Sequence, residues 1–188
     1  YTNGDPTKLL RNKVLYNPGI KIWFYFALSG VGMFVLLRLI GISRNSALFG
    51  SLISALTPYT FGLINAGHLN KIFAMAYIPW VLAAAFNCID KVNLRSILFL
   101  ALATALQLWA NHPQVAYYTW MVIGFYYVWN VGTSIREKTF SVQTCSFPLG
   151  GIMAGLVLAL FMVSDPYVDI YKFQKHSNRG AKSVLDQS

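Results

Sequence analysis

Apolar residues run almost without interruption through most of this chain, and the few charges fall between the runs. No Asp, Glu, Lys or Arg occurs from Asn45 to Asn70, from Ile72 to Ile89, from Ser96 to Ile135 or from Thr139 to Ser164. A helix needs about 20 mostly apolar residues to cross a hydrocarbon core of about 30 Å. The pattern therefore predicts about six membrane-crossing helices, near residues 20–40, 46–66, 72–89, 94–110, 114–131 and 147–163. The runs are continuously apolar rather than alternating, which favours helices over barrel strands, because backbone in lipid must satisfy its own hydrogen bonds. The expected fold class is all-α, a polytopic transmembrane helix bundle at residues 20–164, between a flank at 1–19 and a basic segment at 165–188. Pro58 falls mid-span and Pro79 follows the first turns of the third span, so each should kink its helix. Gly150, Gly151 and Gly155 allow close helix approach in the last span.

Composition sharpens this picture. Charged residues make up 11% of the chain, against roughly 25% in ordinary soluble domains, too few to cover a water-facing surface. The net charge of +9 is carried by short clusters beside apolar runs, which suits membrane flanks and argues against a nucleic-acid partner. Cys88 and Cys145 have neither the number nor the spacing of a disulfide framework or metal site. The chain starts at Tyr1 with no signal peptide before the first span and ends on a polar tail, so it reads as a piece of a longer protein, whose remainder is then a partner.

Charge also suggests an orientation. One face of the zigzag receives Arg38, Arg44, Lys91, Arg95, Arg136 and Lys138, whereas the two hairpins on the other face contribute only Lys71. The positive-inside rule places the first face in the cytoplasm. The two flanks then bring eight further basic residues, counting Lys21, to the outer face, in breach of the rule and in need of another reason.

The same zigzag puts all three histidines, His68, His112 and His176, on the outer face. Two compact polar clusters end otherwise apolar spans there: Gly67-His68-Leu69-Asn70-Lys71 and Asn111-His112-Pro113-Gln114. Polar groups at membrane depth are costly and mark candidate sites. His68, Asn70, Lys71, Asn111, His112 and Gln114 together offer many hydrogen-bond donors and no negative charge, which suits an anion. A helix is expected to start after Gly67 and after Pro113, and its first amides also favour phosphate or carboxylate. Lys172, Lys175, His176 and Arg179 follow the last span and would close over the same ligand. The plainer alternative is that His and Asn cap helix ends while lysines meet lipid headgroups. The histidine spacing gives no support to a divalent metal site, and no cofactor is evident.

The segments Leu-Ile-Gly-Ile-Ser at 39–43, Ala-Gly-His-Leu-Asn-Lys at 66–71, Ile-Pro-Trp at 78–80 and Ala-Asn-His-Pro-Gln at 110–114 resemble the YfhO-like family of bacterial membrane proteins, and Ser177-Asn178-Arg179-Gly180 is similar to a motif at the corresponding place in many members. That family is similar in turn to membrane glycosyltransferases of the C-type fold. The resemblance implies a fragment of a larger multi-pass enzyme of the bacterial cytoplasmic membrane, using a polyprenyl-phosphate-linked sugar at its outer face. In that fold a carboxylate in the first outer loop normally serves as base; Asp5 is the one carboxylate before the first span, with no acidic partner beside it. A transporter, a lipid flippase or a non-catalytic scaffold are the alternatives.

Overall fold

A computed structural model describes residues 17–165, 167, 168 and 172. Asp5, Lys175, His176 and Arg179 lie outside these residues. The described chain is helical without strands: α1 Pro18–Leu39, α2 Arg44–Ala55, α3 Pro58–Asn65, α4 Leu69–Ala76, α5 Ile78–Asp90, α6 Leu94–Trp109, α7 Pro113–Arg136 and α8 Val142–Met162.

Local sequence explains the boundaries. Asn17 opens α1 by accepting the Gly19 amide at 2.9 Å on its side-chain oxygen, with Pro18 in the first helical position. Asn93 and Ser96 form a reciprocal capping box at the start of α6. The second and third expected spans are not merely kinked. Thr57 is extended (φ −61°, ψ 135°), as the residue before a proline prefers, and Pro58 starts a new helix. In the third span the helix stops at Ala76 and restarts at Ile78, with Pro79 in its first turn.

Taken across these breaks, Arg44–Asn65 and Leu69–Asp90 are each 22 residues long and apolar enough to cross a membrane; Pro18–Leu39, with 22 residues, and Cys145–Met162, with 18, are so too. Helix α6 is apolar but has 16 residues, a length of about 24 Å. Helix α7 has 24 residues and carries more polar side chains.

Helix α5 lies at the centre and packs against α1, α6, α7 and α8. Val81, Ala84, Ala85 and Cys88 of α5 bury against Leu100, Ala103, Ile123 and Ile152. Small residues set the spacing: a Cβ added to Gly155 would lie 2.9 Å from Leu100, and one added to Gly151 would lie 3.0 Å from Val92. Trp80 locks α5 to α1 by donating its indole N–H to the Leu28 carbonyl at 2.9 Å, across the face of Gly32. Trp23, Phe49, Phe125, Trp129 and Phe161 stand exposed around the outside, as expected for side chains that meet lipid. The sequence and this exposed apolar belt together make the chain a membrane protein.

One end of the bundle gathers the start of α1, both polar hairpins and Tyr167. Lys21 stands 4.6 Å from the Phe73 ring centroid, and Tyr25 stacks on the same ring at 4.2 Å. Tyr167 donates its hydroxyl to the Leu108 carbonyl at 3.2 Å, and burial pushes this phenol above its ordinary pKa.

Candidate functional site: a cleft between the two polar hairpins

Each hairpin is shaped by one residue in the left-handed region. Gly67 (φ +74°) ends α3 in a Schellman turn, its N–H bonded to Ile64 O at 3.0 Å and that of His68 to Leu63 O at 2.9 Å. Asn111 (φ +54°) ends α6 with its N–H on Leu108 O at 2.9 Å, a conformation Asn tolerates better than most residues. Both turns reverse the chain within three residues. They deliver Lys71 to the first turn of α4 and Gln114 to the first turn of α7.

Between these helix starts lies a cleft of about 330 Å³. Lys71, His112, Gln114 and Tyr59 line its hairpin end, and Met75, Ile78, Leu82, Val115 and Val122 continue it into the bundle. The Lys71 ammonium sits 5.4 Å from the Tyr59 ring centroid, within reach of a cation–π attraction that fixes its direction. Gln114 donates its side-chain amide to the Tyr118 hydroxyl at 3.0 Å. Nδ1 of His112 is buried and has no hydrogen-bond partner among the described residues. A buried polar atom left this way is expensive unless a ligand or water meets it.

The expected site residues separate into two groups. Lys71, His112 and Gln114 share the cleft, although they come from different hairpins. His68, Asn70 and Asn111 are exposed and do not line it. The capping explanation for the imidazoles also lacks support, because His68 and His112 occupy N-cap positions without making a side-chain cap bond. No carboxylate lines the cleft, and the described residues contain no cluster of three metal-ligating side chains. Lys172 is exposed after α8.

Two features are less legible in sequence. Tyr59 joins the site because Pro58 restarts the helix just before it. Gln107, fully buried, donates to the Ala74 carbonyl at 3.3 Å and to Thr119 Oγ1 at 3.0 Å, and Thr119, a cleft residue, donates in turn to Val115 O at 2.9 Å. Gln107 thus pins the end of α4 to the wall of the cleft. Comparison with protein-family models, with curated proteins and with solved structures finds no match for this chain.

Proposed function

We propose that the cleft binds the phosphate of a lipid, and that the protein is a glycosyltransferase-like membrane protein acting on a polyprenyl-phosphate-linked sugar at the outer face of the bacterial cytoplasmic membrane. The observation that carries the reading is the meeting of Lys71, His112 and Gln114 at the head of an otherwise apolar cleft. Such a shape suits an amphiphile: the anionic head meets donors from two helix starts, and the chain lies along Ile78, Leu82 and Val122. In a transfer reaction the same donors would stabilise the phosphate as it leaves the sugar, where one well-placed donor contributes about 2.7–4 kcal/mol. The cleft supplies the phosphate half of that reaction and no carboxylate base, a role for which the sequence offers Asp5 alone in the first flank. Six crossings, with the hairpins outside and Arg44, Lys91 and Arg136 inside, complete the proposed arrangement.

A second reading, movement of a ligand across the membrane, is favoured by the two broken spans. Irregular backbone at membrane depth is tolerated where it lines a cavity, and interrupted helices of this kind recur at transporter binding sites. Sugar transfer from a polyprenyl-phosphate donor, measured with the full chain in nanodiscs, separates the readings. Turnover lost in Lys71→Ala supports the transferase. Analogue binding without any turnover, coupled to translocation in sealed vesicles, supports transport instead.

A further inference from the structure

Helix α7 meets the bundle along one side only. Its buried residues end at Ile123; beyond that, Tyr126 stacks on Phe86 of α5, and the Tyr127 hydroxyl donates to the Cys145 carbonyl of α8 at 2.9 Å. The opposite side carries a groove of about 480 Å³ lined by Phe125, Val128, Trp129, Gly132, Thr133 and Arg136. These positions recur every three or four residues and so form one continuous helix face. Phe125 and Trp129 are each 70% exposed. A glycine inside a helix is costly, yet a Cβ added to Gly132 would meet nothing within 4 Å, so no neighbouring helix of the described chain requires it. Its effect is a notch between Trp129, one turn before it, and Arg136, one turn after it.

We infer that this groove binds an anionic phospholipid, its phosphate on Arg136 and one acyl chain along Trp129, Val128 and Phe125. The depth fits: the helix rises about 16 Å from Phe125 to Arg136, and one leaflet is half of a hydrocarbon core of about 30 Å. The charge fits as well. Arg136 is the one charged residue of the lining, and Glu137, its neighbour in the chain, does not line the groove. A guanidinium grips a phosphate through two parallel N–H donors, and Trp suits the boundary between acyl chain and headgroup. A second copy of the chain fits worse. A twofold axis along the membrane normal would bring two α7 helices together in parallel, with their Arg136 side chains at the same depth and like charges facing. An uncharged partner helix would cover Phe125 and Trp129 but leave the guanidinium unmatched. The cleft between the hairpins plays no part, since Gln114 lies in the first turn of α7 and Arg136 in the last.

The test uses phosphatidylglycerol and phosphatidylcholine with brominated acyl chains, titrated into nanodiscs that hold the full chain. Quenching of tryptophan fluorescence is measured with and without Trp129→Phe in each background, and the difference reports lipid at Trp129. Phosphatidylglycerol associates there about fivefold more strongly than phosphatidylcholine, the ratio expected of one basic residue at a membrane surface. Arg136→Gln brings the ratio to about one, Arg136→Lys keeps most of it, and Lys91→Gln, a basic residue outside the groove, leaves it unchanged. Gly132→Leu fills the notch and weakens both lipids. Thermal midpoints are followed throughout, so that unfolding is not read as lost binding. Equal quenching by the two lipids overturns the inference, as does a preference that survives Arg136→Gln or falls equally in Lys91→Gln. Absence of quenching at Trp129, with a particle mass of two copies, overturns it in favour of a dimer.

Discussion

Lys71 and His112 are more than 40 positions apart in the chain and share one cleft, whereas His68, three residues before Lys71, is exposed outside it. That difference gives a graded expectation. Lys71→Ala and His112→Ala should each weaken binding of a polyprenyl-phosphate analogue about tenfold or more, equivalent to about 1.4 kcal/mol, because each removes a donor from the head of an otherwise apolar cleft. His68→Ala and Lys91→Ala should change it less than about twofold, and microscale binding measurements in nanodiscs would show the contrast. Equal losses at positions 68 and 71 would return the hairpins to an anchoring role. Gly32 offers a stability test at the same scale. A Cβ there would collide with the Trp80 indole nitrogen, which is held by Leu28. Gly32→Ala should therefore lower stability by about 1–3 kcal/mol through forced repacking, read as a reduced thermal midpoint.

At the scale of elements, the notable property is that two helices are divided where the hydrophobic pattern is continuous. Prolines account for the missing donors, but the break after α4 also depends on a third helix. Gln107 of α6 reaches the Ala74 carbonyl and Thr119 of α7 at once. Replacing it with leucine keeps the volume and removes both bonds, so Gln107→Leu should cost about 1–2 kcal/mol. Thr119→Val should cost less, because the Gln107 amide keeps Ala74. Hydrogen exchange should show the loss concentrated at residues 74–78; protection lost evenly over the bundle would deny Gln107 this local role.

For the whole molecule the arrangement in the membrane is the main expectation. The start of α1, both hairpins and Tyr167 lie at one end of the bundle, and Arg38, Arg44, Lys91, Arg95 and Arg136 fall at or near the opposite ends of their helices. With Cys88 and Cys145 replaced, cysteine at Asn70 should react with an impermeant thiol reagent on intact cells, and cysteine at Asn93 should react after lysis alone. Labelling of position 93 alone on intact cells would invert the orientation.

The sequence by itself determined the helical class and the membrane setting, because both follow from one-dimensional quantities: unbroken apolar runs and charges confined between them. It also marked Lys71, His112 and Gln114 as costly polar residues at span ends, and Pro58 and Pro79 as interruptions. Only the tertiary structure decided which polar residues share a cleft, since His68 and Lys71 face different surroundings on adjacent turns. It alone showed Tyr59 at that cleft and Gln107 bridging two helices. Local sequence sets where backbone hydrogen bonds are lost. Which side chain, cavity or neighbouring helix meets the freed groups depends on how distant segments pack, and the order of residues along the chain does not express that distance.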